Sequence, residues 1–356
     1  VAQAVGKLLG KDRACLAVVL ACACLTYGGV SLFVVGFSVY PLALQLFRAA
    51  NLPRRFIPAA IAFGSITFTM TSAGSPEIQN LIPIQYLVKE TLVDGVIQKL
   101  PLTDARAGWP VSLIVAALMF GSGQWYLERV IRRAVANGER FELRDQDKVA
   151  PDSPSQQRPS FMTSIAPLVV TLLALNGLPT ICHQVAKMSF LADATSPATA
   201  ALHSILSRFP EDGTLSIFLG VMAGVIVLRR RLKDTWTCFG EGFVNGLLAV
   251  GSTGAVVGFG AAVKELPAFQ TVVVWVTHLP GDPRVSAAIA IAIIAAIAGS
   301  ASGGQGIAFP IIKPIFIDEL HVAPRALHRV VAIASGTLDS LPANGYLVML
   351  IRNICG

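Results

Sequence analysis

The chain has 356 residues, 54% hydrophobic and 14% charged, with mean hydropathy +0.64. Soluble domains carry about 25% charged residues, so a soluble globular protein is excluded; the apolar stretches are continuous rather than alternating, so a β-barrel is excluded too. The net charge of +7 comes from Lys and Arg at the ends of apolar runs and forms no stripe, which fits basic cytoplasmic loops and not a nucleic-acid partner.

The first residues read as the end of a polar or amphipathic segment. No initiator Met or signal peptide is visible, and the chain stops at Gly356 directly after an apolar run, so both ends read as trimmed. Between Arg13 and Arg48 lie 34 uncharged residues. As one helix they would reach about 51 Å against a hydrocarbon core of about 30 Å, so the run must break, and Thr26-Tyr27-Gly28-Gly29 is the evident place. A second apolar run, Phe56 to Pro76, ends in "MTSAGSPEIQNLIP", Met70 to Pro83, which is rich in helix breakers, hydroxyls and amides. Ile84 to Leu100 is amphipathic, with Leu87, Val88, Thr91 and Leu92 on one side, and suits the membrane interface. Ala107 to Leu127 is an ordinary span with Trp109, Trp125 and Tyr126 near its ends.

Glu128 to Ser160 is the one long hydrophilic segment, with seven basic and six acidic residues, and reads as a solvated linker. It divides the chain into a first half, 1–127, the linker, 128–160, and a second half, 161–356. Phe161 to Ile181 and Gly213 to Leu228 are spans, and the second ends in the basic cluster Arg229 to Lys233. Two crossings between linker and cluster put both on one side, which the positive-inside rule makes the cytoplasm. Gly242 to Val263 follows, interrupted by "GSTGAVVGFG", then Leu266 to Gly281. Val285 to Ile312 is interrupted by "GSASGGQG", Gly299 to Gly306, and Val330 to Ile351 contains the lone charge Asp339.

The halves resemble each other. Gly28 to Gly74 is 46 residues, and so is Gly254 to Ser300; each interval holds an Arg, an Ala/Ile-rich helix and a Ser/Gly tip. Matching interruptions of this kind point to a transporter binding site. The expected architecture is an all-α polytopic membrane protein built from two inverted repeats, with Gly-interrupted helices and re-entrant hairpin tips. Non-helical backbone at membrane depth needs protein or a water-filled cavity to satisfy it, and a helix start at a tip would favour a small anion. The candidate substrate-binding residues are Ser72, Gly74, Ser75, Gln79 and Asn80 on the first tip. Ser300, Ser302, Gly303 and Gly304, with Gln305, form the second; Thr26, Gly28 and Thr253 flank the Gly breaks, and Asn344 lies near Asp339. Intramembrane acids are functional candidates, which makes Asp339 and Glu77 the candidate proton-coupling residues.

"LTYGGVSLFVVGFSVYPLALQLFRAANLPRRFIPAAIAFGSITFTMTSAGSPEIQNLIP" resembles the gluconate permease family of proton symporters, as do "GSASGGQGIAF" and "ASGTLDSLPANG". The resemblance spans nearly the whole chain, apart from an N-terminal portion that members carry. It implies a multi-pass carrier in the inner (cytoplasmic) membrane that moves sugar acids or other small hydroxy-carboxylates with protons. By analogy with the wider ion-transporter group it implies a homodimer in lipid. Two departures stand out. Ala343 occupies the place of a His usual after Leu-Pro, and Ala73-Gly74-Ser75-Pro76-Glu77 replaces Pro-Gly-Thr-Pro-Gln. The extra carboxylate of Glu77 would repel an anion unless protonated or turned away.

No cofactor is called for. The coupling ion is a proton, with sodium the alternative because unwound carbonyls can hold it; a passive anion channel is a further alternative. A membrane enzyme is disfavoured, since no GxSxG, Walker or HExxH pattern occurs. The six cysteines lack a CxxC pair and read as small packing residues rather than metal ligands. Arg54, Arg55 and Arg284 read as interface anchors, and His183, His203, His278, His321 and His328 as solvated or interfacial.

Overall fold

The computed structural model describes residues 13–93, 96–142, 161–186, 199, 214–229, 235–277, 279–341 and 344–355. Among the described residues the regular structure is helical apart from one hairpin: this is an all-α polytopic membrane protein. Among the described residues, three helices are each long and apolar enough to cross a bilayer, Leu32–Ala49, Trp109–Ala136 and Ile165–Cys182.

The first charge-free run breaks where its length demands. Helix α1, Ala14–Tyr27, ends at Gly28, and α2, Leu32–Ala49, starts after Ser31. Helix α1 is apolar all round and is buried on most sides, the behaviour expected of a helix at the centre of a bundle. It packs against α2 and against α3, Ile57–Ala62, which continues into a π turn, Phe63–Thr67. Gly64 makes that approach possible, because a Cβ there would run into the Val19 carbonyl. The π turn has a local cause. Ser65 Oγ donates to Ile61 O at 2.7 Å, Thr67 Oγ1 to Phe63 O at 2.6 Å and Thr69 Oγ1 to Gly64 O at 3.0 Å. Hydroxyls that bond back to the previous turn loosen a helix, and this one unwinds into the first tip.

Helix α4, Ile78–Tyr86, leads into an antiparallel hairpin of β1, Val88–Val93, and β2, Val96–Pro101. The amphipathic reading of Ile84 to Leu100 is corrected here. Val88, Thr91, Val93, Val96 and Ile97 are β-branched residues that favour a pleated ribbon, and the Asp-Gly pair between the strands, outside the described residues, is a strong hairpin sequence.

Helix α5, Trp109–Ala136, has 28 residues and runs through the boundary placed at 127. At about 42 Å it outreaches the hydrocarbon core, so its last turns, with Arg132 paired to Glu128 at 3.2 Å, belong outside it. Residues 143–160 of the linker lie outside the described residues.

Helices α6, Phe161–Ala186, and α7, Thr214–Leu228, pack on each other. Helix α8, Thr235–Lys264, passes through "GSTGAVVGFG" without a break, which corrects the expected second Gly interruption at Gly254. An isolated helical Gly costs only about 1 kcal/mol, and the Ala, Val and Phe between these glycines keep the helix continuous. Then come α9, Pro267–Thr277, and α10, Pro283–Ala298. Asp282 caps α10 by accepting from Arg284 N at 2.9 Å, and the Arg284 guanidinium bonded to it holds its carboxyl down at about 2. Helix α11, Ala301–Lys313, extends as a π turn to Glu319 and is followed by α12, Pro324–Ser335, and the short α13, Gly345–Met349.

The two larger of three apolar clusters among the described residues hold most of these helices. One joins α1, α2 and α3 with the end of the chain, where Phe33 meets Tyr346 edge-on at 5.5 Å and Arg54 donates to Cys355 O at 2.8 Å. The other joins α9, α10, α11 and α12 with Ile82 and Leu87 at the two sides of the α4 end. Phe309 on α11 is fully buried and stacks on Tyr86 of α4 at 5.2 Å. Phe309→Ala is expected to cost about 3 kcal/mol through the cavity left behind, read as a lower unfolding temperature in detergent.

Candidate functional site

The first tip occupies residues 68–77, between the π turn and α4. Gly74 has φ +81 and lets the chain turn back. Nearly every polar group of the tip is spent on protein. Ala73 N donates to Ser112 Oγ at 2.9 Å, and Gly74 N to Ala105 O at 2.8 Å. Tyr27 Oη donates to Ala73 O at 3.0 Å and Asn176 Nδ2 to Gly74 O at 3.0 Å. Ser72 Oγ bonds back to Phe68 O, and Ser75 Oγ accepts from Glu77 N at 3.3 Å. Asn80 is fully buried; its Nδ2 donates to Ser75 O at 2.8 Å and Ala105 O at 3.0 Å. Ser72, Ser75 and Asn80 therefore build the tip from within, satisfying backbone groups that burial takes away from water. Glu77 differs: it occupies the N-cap position of α4 and is buried, yet its carboxylate has no hydrogen-bond partner among the described residues.

The second tip is sharper. Helix α10 closes at Gly299, φ +64, and the chain restarts one residue later. Ser300 caps α11 by accepting from Gly303 N at 3.2 Å, and its hydroxyl lies 3.2 Å from that of Ser302. The glycines that follow do not break α11; Gly304 instead seats it against α10, where a Cβ would meet Ala295. Ser300→Ala is expected to cost about 1 kcal/mol, the worth of an N-cap, measurable by thermal unfolding.

Asp339 reaches this helix start from the turn after α12. Its Oδ1 accepts from Ala301 N at 3.0 Å and from Asn344 Nδ2 at 2.6 Å, while Asn344 Oδ1 caps α13 by accepting from Leu347 N at 3.0 Å. Asp339 and Asn344 thus form one buried cluster. A carboxylate at a helix N-terminus is favoured by the helix dipole, so Asp339 occupies a position otherwise open to an external anion.

The two tips are joined through their helices. Gln305 Nε2 on α11 donates to Gln79 O on α4 at 3.0 Å and to Ser335 Oγ on α12 at 2.8 Å. Among the described residues the Oε1 atoms of Gln79 and Gln305 are both buried and without a hydrogen-bond partner, as is Thr26 Oγ1 at the end of α1. Because the Gln305 amide faces a carbonyl, its nitrogen is fixed as the donor and its oxygen as the orphan. Gly28 packs against Leu168, where a Cβ would lie 2.8 Å from Cδ2. The Thr253 side chain lies outside the described residues, as do those of Ser252 and His183 and all of His203 and His278.

The sequence reading missed α12. His328, placed there among solvated histidines, is fully buried, with Nδ1 at 2.8 Å from Thr103 Oγ1 and Nε2 at 3.3 Å from Asn80 Oδ1. Its neighbour Arg329 is 4% exposed. The available signal was periodicity: His328, Val331, Ala332 and Ser335 recur at helical spacing and are all buried.

Apolar helices interrupted at two buried polar tips and held by a buried Asp, Arg and His define a polytopic membrane protein with a polar network in its interior. The chain is similar to the uncharacterized transporter YxjC of Bacillus subtilis (strain 168), 33% identical over 365 residues that take in 99% of this chain and 74% of the relative. It belongs to that family, and its role is that of a transporter. No family model matches the chain, and no solved structure matches it.

Proposed function

We propose that this protein is a secondary active transporter that carries gluconate or a related small hydroxy-carboxylate together with protons. The observation that carries this reading is Asp339, a buried carboxylate bonded to the N-terminus of α11 within the second tip. In this reading Asp339 and Glu77 exchange protons. Neutralising Asp339 frees the α11 helix start for the substrate carboxylate, so proton and anion arrive together. Gln79, Gln305 and Ser302 beside the tips contact the bound substrate, and Asn344 positions Asp339.

The protein would then work by alternating access, as a multi-pass homodimer in the cytoplasmic membrane, with its halves as inverted repeats. The tips at 68–77 and 299–300 support a repeat; the uninterrupted α8 does not supply the matching Gly break.

Sodium coupling is the second reading, favoured by the unpartnered acceptor oxygens of Gln79, Gln305 and Thr26, which are groups a cation could satisfy. Counterflow separates any carrier from a passive channel. Liposomes preloaded with unlabelled gluconate and given no ion gradient should transiently accumulate labelled gluconate; a pore gives no such overshoot.

A further inference from the structure

We propose that Arg329 is a positioning residue that clamps the first tip in its binding-competent shape. The proposal rests on the transporter reading only for its consequence in uptake; the clamp itself is read from the geometry. Arg329 donates from Nε to Ala107 O at 2.6 Å, from Nη1 to Thr71 O at 2.7 Å, and from Nη2 to Asn80 Oδ1 at 2.8 Å and Ala105 O at 3.4 Å. Those acceptors lie on three separate pieces of chain: the tip, the start of α4, and the loop 102–108 that leads into α5. Each acceptor is neutral, and Arg329 has no carboxylate within ion-pair distance among the described residues.

A buried guanidinium without a paired carboxylate is costly at membrane depth. What it offers here is five N–H donors in a rigid fork, matched to acceptor oxygens on buried residues. Surrounding residues support this use. Gly108, φ +63, lets the Arg329 stem lie on the loop, since a Cβ there would come within 2.9 Å of Arg329 Cγ. His328 and Thr103 complete the frame around Asn80.

The same helix reaches the second tip through Ser335 and Gln305. Arg329 therefore sets the first tip at a fixed place relative to the second. If the clamp loosens, the fraction of molecules with a competent site falls, and apparent affinity falls in proportion while turnover at saturation does not.

The test uses the full chain in nanodiscs and proteoliposomes, with Arg329→Lys and Arg329→Gln. Lys keeps the charge but cannot span the acceptors. Amide hydrogen exchange in peptides covering 71–80 and 102–108 should accelerate about tenfold or more in both variants, with 14–49 unchanged, as local opening requires. The KM for labelled gluconate should rise about tenfold with Vmax preserved. Unchanged exchange at the tip overturns the clamp. So does acceleration throughout the chain, or failure of the Lys variant to fold, since either would make Arg329 a general core residue. If the unmodified protein takes up no gluconate, the proposed function fails, while the exchange measurement still decides the clamp.

Discussion

Asp339→Asn is expected to abolish proton-driven accumulation of substrate and leave the fold in place. The replacement leaves a neutral amide oxygen where Oδ1 now accepts from Ala301 N at 3.0 Å and Asn344 Nδ2 at 2.6 Å, a weaker acceptor than the carboxylate and one that a substrate carboxylate displaces from the helix start, as it would the protonated acid. It removes only the negative charge, whose interaction with the α11 dipole is worth about 0.3–1 kcal/mol. The unfolding temperature should therefore shift little. The neutral amide resembles the protonated acid, so exchange of substrate across the membrane should persist while uphill uptake falls to the level of protein-free liposomes. Uphill uptake at the unmodified level in this variant would remove Asp339 as the coupling residue and leave Glu77 as the candidate. The unpartnered Glu77 carboxylate is consistent with either of the possibilities its sequence raised, a proton carrier or an acid turned from the ligand.

Gly304→Leu should have the largest structural effect of any single tip substitution. A Cβ at Gly304 would lie 2.7 Å from Ala295 Cβ and closer still to the Ala295 backbone, which cannot swing aside as a side chain does. Even Gly304→Ala overpacks the contact, at a cost of about 1–3 kcal/mol, and Leu adds three more carbons. Moving α11 off α10 would draw Ala301 from Asp339 and Gln305 from Gln79, so stability and transport should be lost together. Gly254→Ala is the matched control: nothing lies within 4 Å of its Cβ, and Ala in a helix is better than Gly by about 1 kcal/mol. Its unfolding temperature should hold or rise. Equal behaviour of Gly304→Ala and Gly254→Ala would mean that the hairpin is not packed as described.

The features legible in the sequence were those set by length and by local chemistry. The break at Gly28-Gly29 followed from 34 uncharged residues too long for one crossing. The tip at Gly299 followed from a small flexible residue and a capping Ser inside an apolar run. The pairing of Asp339 with Asn344 followed from their nearness in sequence. What escaped depended on partners far along the chain. Arg329 drew no notice in the sequence, because its acceptors at 71, 80, 105 and 107 come together only in the fold. His328 escaped for the same reason. The polar tip residues read as ligand contacts, whereas Ser72, Ser75 and Asn80 are consumed by the backbone of the tip itself, which hydropathy cannot reveal. The amphipathic stretch at 84–100 left helix and strand open because a short run fits either period; it holds the end of α4 and the hairpin.

Gradient-driven transport of a small organic anion can be read in a single uptake experiment. Purified protein in liposomes is given a panel of labelled hydroxy-carboxylates, gluconate among them, under an inward proton gradient, an inward sodium gradient, or neither. At least one of them should accumulate uphill under the proton gradient, an accumulation collapsed by a protonophore, and none should accumulate without a gradient. Uptake of the whole panel that ignores both gradients would contradict it.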